Sequence, residues 1–203
     1  MIEILLATNN DNKRKEIRSL LKEYKEIRII NFTDLNVSPP IIIEDGKTFR
    51  QNAVKKAVIT SKFFDGLVLA DDSGLSVEAL HGNPGVRSAR FARINATDEE
   101  NNKKLLNLLA KIPEKKRKAE FVCHMALAKK GQLIESVEAV VKGEIADEPK
   151  GKKGFGYDPL FIPKKHKRTF AEMSQSDKNK ISHRGIALKM MKMVIGKYLK
   201  KSS

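Results

Sequence analysis

The sequence predicts an α/β fold in which helices pack around a mixed β-sheet. In the first third of the chain, compact apolar runs alternate with helical patterns. Two strand-like segments flank a short turn in the middle, and an apolar helical stripe closes the sequence. At 203 residues the chain can bury a sizeable core, and neither a repeat nor a long linker divides it. We therefore predict one domain over residues 1–203.

The first predicted element is a short buried strand from Ile2 to Ala7. It runs into the polar loop Thr8 to Lys13, after which apolar residues recur at helical spacing. The segments Ile27 to Asn31 and Ile41 to Ile43 are candidate strands, with Pro39 and Pro40 fixing an extended connection between them. The opening therefore predicts strand, loop and helix, followed by two further strands.

Two capping boxes predict helix starts, because their side chains satisfy the free amides of a first helical turn. Thr48 and Gln51 have this spacing and predict a helix from Phe49 to Phe63. Thr97 and Glu100 repeat the pattern before a stripe of leucines, which predicts a second amphipathic helix.

Between these helices, Leu67 to Ala70 is typical of a strand buried on both faces, and we expect Asp71 to begin where that strand ends. Farther on, the alternating segments Ala119 to Leu127 and Leu133 to Val141 predict an antiparallel hairpin. Leu160 to Ile162 predicts another short strand, and a helix with an apolar stripe ends the chain.

Composition narrows the class of protein. There are 40 Lys and Arg residues against 25 Asp and Glu, and the formal charge of +15 attracts anionic partners. Nucleic acid, a nucleotide, an anionic membrane surface and plain lysine-rich composition all fit that charge. The single cysteine, Cys123, excludes an intramolecular disulfide and suits a reducing compartment. No apolar run is long enough for a signal peptide or a membrane span, so we predict a cytoplasmic protein.

Four segments carry residue types suited to phosphate or nucleotide chemistry. Asp71 to Gly74 offers two hard carboxylates, and Thr8 to Lys13 offers helix-start amides and a lysine without the glycines of a Walker A loop. Gly151 to Pro159 combines flexible glycines with aromatic rings that can stack on a base. Ser182 to Gly185, with Lys178 before it, supplies nitrogen donors. Taken singly, each segment also fits an ordinary turn, capped loop, core contact or surface position.

In this order and spacing the segments resemble the inosine triphosphate pyrophosphatase family, and the match covers nearly the whole chain. The matching positions are Thr8, Asn10, Lys13, Glu44, Gly46, Thr48, Phe49, Asn52, Ala53, Ala70 to Leu75, Pro84, Gly85, Ser88 to Arg90, Phe155 to Pro159 and Ser182 to Gly185. The resemblance implies an elongated mixed β-sheet flanked by helices, with two lobes and an active-site cleft between them.

The resemblance also implies a reaction. It is the Mg²⁺-dependent hydrolysis of ITP, dITP or XTP to a nucleoside monophosphate and pyrophosphate. Carried over by position, Asp72 is the catalytic proton acceptor that activates water and also a metal ligand, while Glu44 is the second metal ligand. Asp71 would support Asp72 without touching substrate. The implied substrate-binding residues are Thr8, Asn9, Asn10, Asp11, Asn12, Lys13, Ser73, Phe155, Gly156, Tyr157, Asp158, Lys178, His183 and Arg184.

Within that set, Thr8 to Lys13 and Lys178 would hold phosphates, and Phe155 to Asp158 with His183 and Arg184 would enclose the base. A six-position carbonyl can accept a hydrogen bond from Arg184 or a backbone amide, which an adenine amino group cannot.

The chain departs from the family pattern at two positions. Gln51 stands where many relatives carry an acid, and Arg93 stands where many have glycine. A metal or water role for position 51 is therefore in doubt, whereas position 93 lies outside the implied contacts.

Two other functions remain open on sequence grounds. The positive charge also fits a nucleic-acid-binding protein, although few aromatic residues alternate with the lysines. A triphosphatase of related fold acting on pyrimidine nucleotides is a closer rival. We expect no stable nucleic-acid partner and no membrane partner, and the family resemblance implies a homodimer.

Overall fold

The computed structural model describes residues 2–21, 24 and 26–202, with the backbone alone at 201 and 202. Residues 1, 22, 23, 25 and 203 of the predicted domain lie outside the described part. In chain order the strands are β1 (Ile2–Leu6), β2 (Ile27–Ile30), β3 (Leu67–Val77), β4 (Lys118–Lys129), β5 (Gln132–Ile145) and β6 (Phe161–Pro163). The α-helices are α1 (Asp11–Leu21), α2 (Phe49–Thr60), α3 (Asp98–Leu109), α4 (Gln175–Ile181) and α5 (His183–Ser202).

The six strands form one mixed sheet in the order β2-β1-β3-β4-β5-β6. Strand β1 pairs in parallel with β2 and with β3, whereas β5 and β6 pair antiparallel. Lys130 and Gly131 join β4 to β5 with positive φ at both positions, as tight hairpin turns require. The predicted α/β class with a mixed sheet is confirmed.

The predicted helix starts are also confirmed. The Thr48 side chain accepts a hydrogen bond from the Gln51 amide at the start of α2. The Gln51 side chain accepts from the Lys47 amide and not from that of Thr48, so only one half of the predicted capping box forms here. Both halves of the Thr97–Glu100 capping box are formed at the start of α3. Helix α2 ends at Thr60 and not at the predicted Phe63.

Two strand predictions are wrong. Ile41 to Ile43 is irregular, and Ile41 is 97% exposed, because an apolar run becomes a strand only where a neighbouring strand pairs with it. Strand β3 does not end at Ala70 but continues through the two aspartates to Val77. Buried acids are costly without partners, and here neighbouring cations compensate the buried Asp71.

The chain divides into two compact units, each with its own core. Unit 1 comprises residues 1–72, 123–139 and 184–203, and unit 2 comprises 73–122 and 140–183. In unit 1, buried residues such as Leu69, Met125 and Met191 form one cluster, and Ala53 with Ala126 belongs to a second. In unit 2 the described residues form one apolar core around Phe121. Over the described ranges, none of the helices is long and apolar enough to cross a bilayer.

Candidate active site

The two aspartates of unit 1, Asp71 and Asp72, lie next to each other within β3. Successive side chains of a strand point to opposite faces of the sheet, so the two carboxylates have different neighbours. Asp71 is fully buried and Asp72 is 7% exposed. The continuation of β3 past Ala70 therefore separates two acids that a turn would have kept together.

Asp71 is surrounded by cations. The Lys13 Nζ atom lies 3.1 Å from its Oδ2 atom, and the Arg184 Nε atom lies 3.5 Å from the same oxygen. Arg184 is itself almost fully buried and forms an ion pair with the buried Glu16. Burial by itself raises the pKa of Asp71, but Lys13, Arg184 and Lys56 outweigh it and lower the pKa below its ordinary value. Asp71 therefore stays charged and holds Lys13 in place.

Asp72 meets residues of α2 instead. The Asn52 Nδ2 atom donates a 3.0 Å hydrogen bond to its Oδ2 atom, and the Lys56 Nζ atom lies 3.8 Å from Oδ1. The same Lys56 ammonium lies 3.2 Å from the Glu44 Oε1 atom, so both carboxylates approach one cation. Burial raises the pKa of Asp72, and the cations Lys56 and Lys13 do not cancel that effect. A carboxylate with a raised pKa is a stronger proton acceptor than an exposed one.

Asn52 and Lys56 were missed as site residues by sequence reasoning. Their spacing of four residues places them on one face of α2, where both reach Asp72. That spacing was readable in the sequence, but the strand that faces it was not.

The segment that carries Glu44 is fastened to the start of α2. The Asn52 Oδ1 atom accepts a 2.8 Å hydrogen bond from the Gly46 amide, and the Gln51 Oε1 atom accepts one of 2.7 Å from the Lys47 amide. Gln51 thus has a structural role, as acceptor of the Lys47 amide, that does not require an acidic side chain at position 51.

The loop Thr8 to Lys13 is ordered by its own side chains. The Thr8 Oγ1 atom accepts from the Asn10 amide at 3.2 Å, and the Asn10 Oδ1 atom accepts from the Lys13 amide at 3.0 Å. Asn10 therefore caps α1, and Lys13 extends from the first turn of that helix to Asp71. Asn9, Asp11 and Asn12 are exposed, and Asp11 forms an ion pair with Arg14.

In unit 2, Asp158 organises the glycine-rich loop. Its Oδ2 atom accepts a 2.9 Å hydrogen bond from the Phe155 amide and a 2.6 Å bond from the Lys178 ammonium. Lys178 and Asp158 are almost fully buried, and the ammonium lies 5.1 Å from the centre of the Phe155 ring. Gly154 has a φ of +77°, and an added Cβ atom would collide with the Asp158 carboxylate. The structure therefore brings together three of the predicted base-side and phosphate-side residues.

Helix α3 holds the same loop from another direction. The Asp98 Oδ2 atom accepts a 2.6 Å hydrogen bond from the Gly156 amide, and the Asn102 Nδ2 atom donates a 3.0 Å bond to the Gly156 carbonyl. The Tyr157 hydroxyl donates to the Ser88 carbonyl oxygen at 2.9 Å. Sequence reasoning missed Asp98 and Asn102, because nothing local to a helix start indicates which distant loop will pack against it.

Ser73 follows the two aspartates on β3 and belongs to unit 2. It is half-buried, and the adjacent Gly74 has no room for a Cβ atom because the Ser88 side chain lies against it. The Ser88 Oγ atom also accepts a 2.9 Å hydrogen bond from the Leu75 amide.

His183 and Arg184, predicted to enclose the base together, have different surroundings. The His183 ring stacks on Phe121 in unit 2, with ring centres 4.5 Å apart and an interplanar angle of 7°. The Arg184 guanidinium lies instead against Glu16 and Asp71 in unit 1. Their contacts with a base stay predictions.

A Mg²⁺ ion in unit 1 would need oxygen ligands from carboxylates that lie close together. Among the described residues no group of three or more His, Cys, Asp and Glu side chains gathers to enclose a metal. Glu44 and Asp72 nevertheless both approach the Lys56 ammonium, so their oxygens can share a cation. Mg²⁺ is commonly held by one or two carboxylates, with water and substrate phosphates completing its six ligands. This carboxylate pair fits such a site.

Comparison with known proteins identifies a family. Residues 4–194 match the model of the Ham1 family. The chain is 47% identical over 190 residues to a dITP/XTP pyrophosphatase of Desulforamulus reducens, covering 93% of this chain and 92% of the relative. It is 44% identical over 203 residues to a dITP/XTP pyrophosphatase of Caldanaerobacter subterraneus, covering the whole of both chains.

Solved structures agree in fold. A HAM1 protein from Coxiella burnetii superposes with a TM-score of 0.85 at 42% identity, covering 97% of this chain and 100% of that one. The Ham1 protein of Staphylococcus aureus has a TM-score of 0.83 at 36% identity, covering 99% and 100% of the two chains.

Proposed function

The chain belongs to the Ham1 family, and we propose that it is a nucleoside triphosphate pyrophosphatase acting on the non-standard purine nucleotides dITP, ITP and XTP. Hydrolysis of the link between the α- and β-phosphates yields a nucleoside monophosphate and pyrophosphate. Such an enzyme removes these nucleotides from the pool. The observation that carries the proposal is the buried Asp72 carboxylate, with a raised pKa, beside Asn52, Lys56 and Glu44.

In this proposal Asp72 accepts the proton of the attacking water. The Asn52 amide fixes one carboxylate oxygen by donating to it, which leaves Asp72 in one orientation. The pKa of Asp72 is raised toward neutral pH, and a general base is most effective when its pKa lies near the pH at which the enzyme works. The proton leaves the water as its oxygen bonds to phosphorus, and the pyrophosphate leaves with the bridging oxygen.

The same residues would hold Mg²⁺ through Asp72 and Glu44. When bound, the ion neutralises negative charge on the phosphates. Lys56 lies within 4 Å of both carboxylates and offers a second positive charge in the same place. Glu44 is the more exposed of the two acids, so it can turn toward an incoming phosphate complex without leaving a buried position.

Thr8, Asn9, Asn10, Asp11, Asn12 and Lys13 would bind phosphates at the start of α1. Free amides and the positive end of the helix dipole favour anions there. Lys13 is already directed by the buried Asp71, so little side-chain freedom is lost when a phosphate binds. Ser73 would contact substrate through its hydroxyl, and the phosphate contact of Lys178 is retained from the family resemblance.

The base would bind to Phe155, Gly156, Tyr157, Asp158, His183 and Arg184. Phe155 supplies a ring face, and the backbone around Gly156 supplies amide and carbonyl groups at fixed positions. A donor facing the six-position carbonyl of hypoxanthine or xanthine would face an amino group in adenine. Leaving that donor unpaired costs about 1–3 kcal/mol, which favours purines with a six-position carbonyl.

A nucleotide panel with detection of pyrophosphate tests the proposal. We expect turnover of dITP, ITP and XTP with Mg²⁺, much slower turnover of dATP, and loss of activity in a chelator that added Mg²⁺ reverses. Absence of pyrophosphate release from all three nucleotides would refute it. Faster turnover of pyrimidine nucleotides would favour the rival triphosphatase. Tight nucleic-acid binding with a steep salt dependence would favour the nucleic-acid-binding alternative.

We also propose a cytoplasmic homodimer without stable nucleic-acid or membrane partners. A role in the free nucleotide pool supports the location, and the family resemblance supports the dimer. Sedimentation of the purified chain with and without a nucleotide would measure its oligomeric state.

A further inference from the structure

We infer that Asp98 and Asn102 on α3 determine base selectivity by fixing the peptide groups on both sides of Gly156. The inference rests on the proposed function and extends it to two residues that the proposed substrate contacts do not include. All the groups concerned belong to unit 2.

Two side chains of α3 form hydrogen bonds with the backbone of Gly156. The amide of Gly156, which belongs to the peptide after Phe155, donates to the Asp98 carboxylate at 2.6 Å. The carbonyl of Gly156, which belongs to the peptide before Tyr157, accepts from the Asn102 amide at 3.0 Å. Both peptide planes that flank Gly156 are therefore held by a helix, and α3 is itself anchored by its capping box.

The loop needs these two hydrogen bonds because its backbone is intrinsically flexible. Gly151, Gly154 and Gly156 all have positive φ. Glycine has no Cβ atom and adopts positive φ about as readily as negative φ, so these residues do not fix the backbone by themselves. In the sequence, Phe155 lies between Gly154 and Gly156. Asp158 holds the amide before Phe155, and the bonds to Gly156 fix the two peptides that follow. Without these two bonds the position of the ring would be less well defined, and a base stacking on it would be bound less selectively.

The two contacts differ in a way that experiments can use. Asn102 is buried and bonds to a neutral carbonyl, whereas Asp98 is exposed and makes a charge-assisted bond. Substitution of the exposed Asp98 leaves the core of unit 2 intact, so its effect on selectivity is not confused with unfolding. Asp98 and Asn102 act through the loop and are positioning residues.

The test compares Asp98→Ala, Asp98→Asn and Asn102→Asp with two control variants of α3. Glu99→Ala removes an exposed acid from the same helical turn, and Asn107→Ala removes an exposed amide from the same helix. Both controls alter the charge or polarity of α3 without touching the loop. Steady-state kcat and KM are measured for dITP, XTP and dATP in every variant.

We expect Asp98→Ala to lower the ratio of kcat/KM for dITP over dATP by about tenfold, mainly through a higher KM for dITP. Asp98→Asn keeps an acceptor oxygen and should retain more of the selectivity. Asn102→Asp places an acceptor against the Gly156 carbonyl and should also lower the ratio. The two controls should leave it unchanged. A loss of folded enzyme lowers all substrates equally and cannot change this ratio.

Equal losses on all nucleotides in Asp98→Ala and Asn102→Asp, with the ratio unchanged, would overturn the inference while leaving the proposed function intact. A wild-type chain that turns over neither dITP nor XTP would overturn the proposed function, and this inference with it.

Discussion

The candidate site residues of unit 1 and unit 2 are held in place by different forces. In unit 1 the positions of Lys13, Asp71 and Arg184 depend on buried charges that compensate one another. In unit 2 the loop around Gly156 depends chiefly on hydrogen bonds to backbone groups and on glycines with positive φ. The Asp158–Lys178 pair is the buried ionic element of that loop.

This difference matches the two parts of the proposed substrate. A triphosphate carries several negative charges, and a site with fixed charges needs little rearrangement to bind it. A purine base is neutral, so its recognition depends on where donors and acceptors stand. We therefore expect changes in unit 1 to affect catalysis and stability strongly, and changes in the unit 2 loop to affect selectivity and local order.

The largest effect is expected from Asp72→Asn in unit 1. The amide cannot accept the proton of the attacking water, so kcat should fall by about 10²- to 10⁴-fold. Pyrophosphate release from dITP measures this loss. Asp65→Asn is the matched control because Asp65 is an exposed carboxylate of the same unit, and it should keep full activity. A kcat within threefold of wild type in Asp72→Asn would remove Asp72 from the proposed role.

Asp71→Asn should be the most damaging of these variants to stability. The substitution removes the buried carboxylate charge that compensates the cations Lys13 and Arg184. The free energy of unfolding should therefore fall by about 3–5 kcal/mol near pH 7. The folded-state pKa of Asp71 lies below its unfolded value. Its contribution is therefore present above the ordinary aspartate pKa of about 4 and is lost as the pH falls below it.

Denaturant titrations at neutral and acidic pH measure both effects. The control is Glu3→Gln, because Glu3 pairs with Arg28 at an exposed position in the same unit. Exposed pairs contribute less than about 1 kcal/mol, so this variant should remain close to wild type. If the difference in free energy of unfolding between wild type and Asp71→Asn became larger at acidic pH, the pKa of Asp71 would not be lowered in the folded state.

Two glycine variants compare causes within the unit 2 loop. Gly154→Ala adds both backbone strain and a collision with the Asp158 carboxylate, and should lower stability by about 1–3 kcal/mol and raise the KM for dITP. Gly156→Ala adds strain alone, since its Cβ atom would meet nothing within 4 Å, and should lower stability by about 1 kcal/mol. Equal effects in denaturation would show that the close approach at Gly154 is unimportant.

An effect on stability as small as that of Gly156→Ala is expected from Tyr157→Phe. This change removes one hydrogen bond to the Ser88 carbonyl and keeps the buried ring, so unfolding should become easier by about 1 kcal/mol. Burial, with a smaller effect from the Asp98 charge, raises the pKa of Tyr157 above that of an exposed tyrosine. In an absorbance titration through the ordinary tyrosine pKa of about 10, wild type and variant should therefore coincide. If wild type showed one more titrating tyrosine than the variant in that range, Tyr157 would have an ordinary pKa and would be in contact with solvent.

Much of the fold was predictable because it depends on local patterns. The helices after Thr48 and Thr97 start as predicted, although the full capping box forms only at Thr97, and apolar alternation indicates the strands β4 and β5. The exposed Ile41 to Ile43 shows the limit of that reasoning, since an apolar run does not reveal whether a partner strand exists. The length of β3 shows another, since the cost of burying Asp71 depends on cations far away in sequence.

Candidate residues such as Asp72, Glu44 and Lys13 could be named from motifs, and their roles stay proposals. Lys56, Glu16 and Asp98 could not be assigned in this way. Each is an ordinary charged residue on a helix, and its meaning depends on the group that packs against it. A helix face is readable from spacing, but its neighbour is not.

The sequence by itself determined the α/β class, the starts of α2 and α3 and the family, because these depend on spacing along the chain. The tertiary structure alone decided that Asp71 and Asp72 face different partners, because β3 continues as a strand and alternation directs their side chains apart. It also decided which cations accompany each acid. The opposite pKa shifts of two neighbouring aspartates follow from those long-range contacts.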